Sequence, residues 1–521
     1  MTEPAVAPDI ASADIVNPDI VSEDSASAAR GEGSAVFARG ASRPWIMAAA
    51  VICIFMTAIE GTVVATAMPT IVSQLGDFHL FSWVFSAYFL TQSVSIPLSG
   101  RFADLFGRKP LLFFGLSLFL GGSAACGLAP NMLTLILCRI VQGIGAGCTM
   151  PVTQTLISDI YPPAVRARIQ GYLSSIWAMA AICGPLMGAL LVTHLSWRWI
   201  FWINVPLGVA AFALLIAFLH EQRARREHQI DYLGAVLMTS GIGLLMFALN
   251  QATSFGVTVF LALVAAALVL LVLLYRHERG VTEPVMPLQV WRNPIVLGAT
   301  IACFTVGSIT IAASAFLPAY VQGVMGETPL IAGYVVSITS VTWMVGSATG
   351  SKIMLRSSYR AATLIGSAIV IVGAGFLITL EPGDGPLWAG AGTALTGLGM
   401  GLFQNTFFLA AQAAVGRDQR GTATASTLFA RILGQSVGSA LFGGIVNLSL
   451  ADRIGGNAVD KIMDPGLRDN LPADEIGPLM AAIAAALHNV YLVTGVLALI
   501  GLAVTRTLPR GLSPTNVARG R

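Results

Sequence analysis

The chain has 521 residues, 55% of them hydrophobic and only 11% charged, with a formal net charge of +3. A soluble domain carries about a quarter of its residues as charges, so a soluble core with one anchor is excluded and a polytopic membrane protein is implied. The six cysteines (Cys53, Cys126, Cys138, Cys148, Cys183, Cys303) fall inside apolar runs at no ligand-like spacing. They read as small buried hydrophobes, which excludes a disulfide framework or a metal site.

Residues 1–43 differ from the rest. "PDIASADIVNPDIVSED" is acidic, rich in Pro, Ser and Ala, and repeats a loose "DIV" unit. No basic stretch leads into an apolar one, so it is not a secretory signal; it reads as a disordered acidic cytoplasmic tail. Apolar spans follow at about 45–71, 80–99, 110–129, 132–158, 168–193, 199–219, 232–251, 256–275, 294–324, 329–350, 361–380, 386–414, 421–447 and 480–507, fourteen in all. Each is long enough to cross hydrocarbon as a helix. Runs of this length are not barrel strands, and helices satisfy their own backbone in lipid. The fold class expected is therefore an all-α polytopic membrane protein with 14 transmembrane helices.

An even count puts both termini on one side. With the N-terminus inside, 23 of the 29 Lys and Arg residues fall in cytoplasmic segments, four outside and two within spans. The positive-inside rule then fixes both termini in the cytoplasm and the chain in the cytoplasmic (inner) membrane. Segment 448–479, polar and punctuated by Gly and Pro, reads as a long outer surface loop, and 510–521 as a second cytoplasmic tail.

Of 26 acidic residues, Glu60 alone lies deep inside a span. A carboxylate in hydrocarbon costs at least ~2.5 kcal/mol, so an intramembrane ionisable residue is a functional-site hypothesis by default. Glu60 stands ~22 Å into the first span and Arg139 ~12 Å into the descending fourth, by helical rise. The two are at comparable depth and can interact if those spans line one cavity. Burial and a nearby cation act on a carboxylate in opposite senses, which suits a group that must both load and release a proton. The alternative is a static ion pair that fixes helix packing. Arg431 is the other intramembrane charge; it either caps carbonyls or binds an anionic group.

Between the second and third spans lies "GRFADLFGRKP", residues 100–110. Gly100 allows close approach of helix ends, Gly107 allows a sharp turn, and Asp104 near Arg108 and Lys109 suggests a charged cytoplasmic latch. The spacing closely resembles the signature loop of the major facilitator superfamily, with Leu105 where that family usually has a basic residue. "LCRIVQGIGAGCTMP" (137–151) resembles its fourth-span pattern around Arg139, Gln142 and Gly143. "GPLMG" (184–188) resembles the fifth-span antiporter motif, with Ala180 and Ala189 in place of the outer glycines. "SWRWIFWINVPLG" (196–208) and "IEGTVVATAMPTI" are similar to stretches of the fourteen-span drug:proton antiporters (EmrB/QacA type), which more often have Asp where this chain has Glu60. "GSKIMLRSSYR" (350–360) occupies the equivalent loop of the second half and lacks the Asp.

The resemblance runs from about residue 45 to 507. It implies the major facilitator fold, with six-helix bundles at 44–220 and 293–509 and two extra central helices within 221–292. Substrate is then expected at the bundle interface, with Gly184, Pro185 and Gly188 as a hinge. Glu60 and Arg139 become the proton-coupling pair of an antiporter that exports amphipathic, often cationic compounds by alternating access. No cofactor is implied, because the proton gradient drives transport. The partners are a small-molecule substrate, protons and the bilayer, with no nucleic acid; a monomer is expected, and a periplasmic adaptor is left open.

The tentative cavity lining is Gln92, Gln142, Gln154, Trp177, Gln322, Trp343, Gln404, Asn405 and Phe408, supplemented by Asn250, Gln412, Gln435, Phe304, Phe403 and Phe407. An aromatic cavity with few polar groups suits bulky amphipathic compounds. Pro69, Pro97, Pro151, Pro185, Pro206 and Pro318 mark expected bends. The rival readings are a dedicated exporter of one metabolite and a proton symporter. An embedded enzyme is disfavoured: the six histidines (His79, His194, His220, His228, His277, His488) are scattered, and a Walker loop is absent.

Overall fold

The computed structural model describes residues 42–161, 163–221, 231–251, 256–281, 285, 288–416, 419–451 and 473–509. The acidic tail, most of segment 448–479 and the last twelve residues lie outside the described residues. The long helices are α1 (Arg43–Leu75), α2 (Phe81–Phe106), α3 (Arg108–Gly127), α4 (Met132–Ile160), α5 (Pro163–His194), α6 (Asn204–Phe218, preceded by a short turn Trp199–Trp202) and α7 (Tyr232–Asn250). They continue with α8 (Val257–Glu278), α9 (Pro294–Ile311, prolonged to Gly323), α10 (Pro329–Arg356), α11 (Tyr359–Ile378), α12 (Pro386–Ala413), α13 (Arg420–Ala451) and α14 (Ala473–Val504).

Twelve helices among the described residues are long and apolar enough to cross a membrane, and α2 and α12 are not among them. Their composition explains the difference from the fourteen spans expected. Thr91, Gln92, Ser93, Ser95 and Ser99 dilute α2, and five glycines with Gln404 and Asn405 dilute α12. Both helices are enclosed by neighbours, so protein rather than lipid meets these residues.

The helix contacts repeat. α2 packs on α4, α3 on α4, α1 on α5 and α1 on α6; α10 packs on α12, α11 on α12, α9 on α13 and α9 on α14. Glycine ladders set the same register in both sets. A Cβ on Gly143, Gly145 or Gly147 of α4 would strike Tyr88 O, the Phe119 backbone or Gln92 O; on Gly397, Gly399 or Gly401 of α12 it would strike Thr339 O, the Val370 backbone or Trp343 O. Small residues let helix backbones approach where lipid supplies no hydrophobic drive. Four residues before the first glycine of each ladder stand Arg139 and Thr393. Arg139 Nε donates to Val84 O (3.2 Å), and Thr393 Oγ1 donates to Val335 O (3.1 Å) at the matching place. The repeat keeps the packing and drops the charge.

α2 meets α13 and α5 meets α10, and these are the seams between the two sets. The end of the bundle carrying Gly107, Ser357 and Gly416 is the basic end; the opposite, distal end holds the turns near Gly76, Leu128, Leu195 and Gly326. Hydrogen bonds close the seams in the distal half: Ser436 to Ser86 O (2.9 Å), Ser439 to Ser82 O (3.1 Å), Ser340 to Ala181 O (2.9 Å) and Gln322 to Thr66 O (3.2 Å). Phe316 packs between Phe81 and Phe442 there, tilted against one and edge-on to the other, with ring centroids at 5.4 and 5.7 Å. α7 lies against α2 and α13, and α8 against α7. Only Ala267, Leu274 and Glu278 of α8 are buried, which suits a helix facing lipid.

Pro69, Pro97, Pro151 and Pro185 lie inside continuous helices, and Pro318 follows a π-helical stretch, Ala312–Phe316, whose wider turn accommodates the lost hydrogen bond. Pro206 follows the break at Ile203 that separates Trp199–Trp202 from α6. It sits in the first turn of α6, where a missing N–H has no partner to lose.

Candidate functional site

Six side chains from five helices converge inside the first set. Arg139 Nη1 donates to Glu60 Oε1 at 2.5 Å and to Gln142 Oε1 at 2.8 Å. Asn204 Nδ2 donates to Glu60 Oε2 at 2.7 Å and to Ser123 Oγ at 3.1 Å. Gln142 Nε2 also donates to Ser123 (3.2 Å), and Ser123 donates to Phe201 O (2.8 Å). The Arg139 guanidinium lies 4.0 Å from the centroid of the Tyr88 ring, a cation–π contact. Glu60, Arg139, Gln142 and Ser123 are completely buried, and Tyr88 and Asn204 nearly so.

Each carboxylate oxygen of Glu60 therefore has a donor, which an ion in a low-dielectric interior requires. The unsatisfied atoms stand at the edge of the pair: Arg139 Nη2, Tyr88 Oη and Asn204 Oδ1 have no hydrogen-bond partner. This network has spare donors and one spare acceptor beside a carboxylate.

Sequence reasoning found Glu60 and Arg139 and assigned Gln142 to the cavity; the structure places Gln142 in the network. Its i+3 spacing from Arg139 on one helix face was the available signal. Asn204 was overlooked, although an amide within "WINVPLG" stands out among apolar neighbours. Ser123 and Tyr88 carry no sequence mark that separates them from other serines and tyrosines.

The loop between α2 and α3 forms a second polar site. Gly107, at φ +94°, ends α2 and starts α3, a backbone geometry that favours glycine. The Glu221 carboxylate accepts from Arg108 N and Lys109 N, both at 2.8 Å, and Lys109 Nζ donates to Leu219 O at 2.6 Å. Glu221 thus caps the orphan amides of α3 and complements its dipole, tying α3 to the end of α6. The sequence expected Asp104 to supply a carboxylate in this latch; the Asp104 side chain lies outside the described residues. Gly100 is exposed, and nothing lies within 4 Å of where its Cβ would stand, so close helix approach does not explain it.

The remaining candidates are dispersed. Gly184 and Gly188 press α5 against Thr62, Val63 and Thr66 of α1, and Pro185 O faces Gly333 of α10. Gln92 is buried, Gln154 and Trp343 are half-buried, and Asn405 Nδ2 donates to Ser351 Oγ (3.3 Å). Gln322 is engaged with Thr66, while Gln404 Oε1 is buried without a partner. Phe408 is half-buried; Phe403 and Phe407 meet edge to face (5.0 Å) in the core of the second set, where Phe403 borders a small cavity with Thr305 and Met400. Arg431 lies 5.6 Å from the Trp177 ring. Among the described residues, no group of three His, Cys, Asp or Glu side chains could hold a metal.

A duplicated bundle of membrane-length helices with a buried charge pair defines a polytopic membrane transporter. Residues 50–439 match the family model of the Major Facilitator Superfamily, and the chain belongs to that family. It is a multi-pass transporter of small molecules, not an enzyme. Among curated relatives, Multidrug resistance protein 3 of Bacillus subtilis (strain 168) is 29% identical over 475 residues, 87% of this chain and 93% of the relative. Multidrug transporter protein MdtP of the same organism is 31% identical over 434 residues, 83% of this chain and 79% of that one. Among solved structures, a bacterial homolog of the human lysosomal transporter Spinster, inward-facing and unoccupied, superposes with a TM-score of 0.64 at 16% identity. That match covers 90% of this chain and 98% of the other, and shows the shared fold.

Proposed function

We propose that the protein is a proton-coupled antiporter that exports amphipathic compounds from the cytoplasm, with fourteen spans and Glu60 as the proton-carrying group. Two six-helix bundles, 44–220 and 293–509, rock about a central cavity, and α7 and α8 are the additional pair. The relatives named for multidrug resistance and multidrug transport support the cargo class. The basic end is cytoplasmic by the positive-inside rule. The distal hydrogen bonds and packed phenylalanines then seal the outer side, as in a state open toward the cytoplasm.

The observation that carries the coupling is the pairing of a fully buried carboxylate with donors that have alternatives. With Glu60 ionised, Arg139 and Asn204 donate to its two oxygens. When Glu60 takes a proton, the attraction to Arg139 falls. A half-turn of the Asn204 amide then offers its unpartnered Oδ1 to the new O–H. Because α1, α4 and α6 each contribute one of these groups, the two protonation states favour different helix spacings. That is the differential interaction a conformational switch requires.

Complete burial of the pair also favours a second reading, in which the ion pair only holds three helices together. Proteoliposomes with an imposed pH gradient and ethidium as cargo separate the two. Gradient-driven transport that disappears in Glu60→Gln while ethidium binding persists supports coupling. Undiminished gradient-driven transport in that variant leaves Glu60 as a packing residue.

A further inference from the structure

Among the described residues Arg431 has no counter-charge. It is the twelfth residue of the 32-residue α13, nearer the basic end than the distal end, and is half-buried. Among the described residues it makes no ion pair and no hydrogen bond to a carbonyl, which removes carbonyl capping as its role. Its aromatic neighbour is Trp177 of α5, with the guanidinium 5.6 Å from the ring centroid. α5 packs on α1 and α10, and α13 on α9, α2, α14 and α7; the two helices do not pack along each other. The guanidinium therefore reaches across the space between the two bundles to meet a ring on the opposite wall.

That wall is apolar. Trp177 packs against the cluster of Ala50, Ile54, Ile157 and Leu173 from α1, α4 and α5. On the other side, Gln435 lies one turn beyond Arg431 and Thr424 and Leu428 lie below it, all half-buried, a stripe running toward the basic end. The backbone behind Arg431 cannot yield: a Cβ on Gly307 would strike Arg431 O, and one on Gly434 would strike Phe304 O, so α9 and α13 are held at contact distance. A guanidinium with no carboxylate partner among the described residues lies in cation–π range of an aromatic plate, beside a half-buried stripe that runs toward the basic end.

We infer that Arg431 and Trp177 form an anion-recognition site in the cargo cavity, selecting amphipathic aromatic compounds that carry a carboxylate or comparable acidic group. The aromatic body lies on Trp177 and its apolar surroundings, and the acidic group takes the guanidinium donors in a charge-assisted contact. A cation entering the same cavity meets repulsion from Arg431 and gains nothing from it. This rests on the proposed reading of the space between the bundles as the cargo path, and adds to its amphipathic cargo a preference for aromatic acids over their neutral counterparts.

The test is direct binding to the purified full-length protein in uncharged detergent, by calorimetry, with three probes of one shape. These are 1-naphthaleneacetate, its neutral amide 1-naphthaleneacetamide, and cationic 2-(1-naphthyl)ethylamine. The wild type is expected to bind the acid about tenfold or more tighter than the amide, the usual worth of a hydrogen bond to a charged group, and the amine weakest. Arg431→Gln removes the preference of acid over amide, Arg431→Lys keeps part of it, and Trp177→Leu weakens acid and amide alike. Equal binding of acid and amide by the wild type, or a preference that survives Arg431→Gln, overturns the site. The wild-type ratio decides the matter even if Arg431→Gln does not fold. Equal binding of acid and amide by the wild type, with pH-driven ethidium transport intact, sinks the anion site alone. Failure of all three probes to bind the wild type overturns both the site and the amphipathic-cargo reading.

Discussion

Replacing Glu60 by glutamine changes almost no volume and removes one charge. The glutamine oxygen still accepts from Arg139, and the 4.0 Å contact with the Tyr88 ring still screens the guanidinium. What remains is a cation with no counter-charge in a site of zero solvent exposure. Breaking a buried pair by removing one partner costs ~3–5 kcal/mol, and the retained contacts put this case near the lower limit, about 3 kcal/mol. Arg139→Gln strands the carboxylate instead and costs at least as much. The double variant contains two neutral amides within hydrogen-bond reach and no buried charge. It should be more stable than either single variant, which requires a coupling energy larger than the greater single loss, above ~3 kcal/mol. Unfolding titrations of the four proteins in one detergent measure the cycle. Gradient-driven ethidium transport by the same four proteins measures coupling: the double variant should regain stability and still fail to couple. Additive stability losses refute the assignment of the pair as mutually compensating charges. Restored gradient-driven transport in the double variant refutes Glu60 as the proton carrier.

Asn204→Ala removes the donor to Glu60 Oε2 and one donor to Ser123, and should cost ~1–3 kcal/mol. The same variant should slow pH-driven transport more than cargo binding, read by comparing the two in one preparation. Gly145→Ala and Gly399→Ala each drive a Cβ into a neighbouring backbone and should destabilise by ~1–3 kcal/mol, whereas Gly100→Ala, with open space around it, should fall within about 0.5 kcal/mol of wild type in the same unfolding assay. Glu221→Gln weakens the cap of α3 and should cost ~0.3–1 kcal/mol. Protease cleavage in the loop around Gly107 should rise in that variant, and an unchanged cleavage rate counts against the latch.

How much of the site was legible follows from what marks a residue in a sequence. Glu60 and Arg139 stand out because charge in an apolar run is costly and rare, and their depths follow from helical rise alone. Glu221 did not stand out, since an acid just past a span looks like any loop acid; only its two 2.8 Å contacts to Arg108 N and Lys109 N reveal the cap. Gln142 and Gln322, expected in the cavity lining, are hydrogen-bonded to Arg139 and Thr66, and periodicity does not distinguish a face turned to a cavity from one turned to a neighbouring helix. The glycines of α4 and α12 are plain in the sequence, but which backbone each one admits depends on the partner helix.

The sequence by itself determined the helical class, the run of apolar spans, the asymmetry of basic residues and the three intramembrane charges, Glu60, Arg139 and Arg431. Each of these is a local property, fixed by side-chain transfer free energy and by the need of backbone groups for internal partners in lipid. Tertiary structure alone decided that Glu60 is shared between Arg139 and Asn204, that Arg431 has no counter-charge among the described residues and meets Trp177 across the bundles, and that the seams close at one end. Those outcomes depend on which helix faces which, and the packing of distant segments, set by glycine ladders and a few polar contacts, carries no periodic trace along the chain.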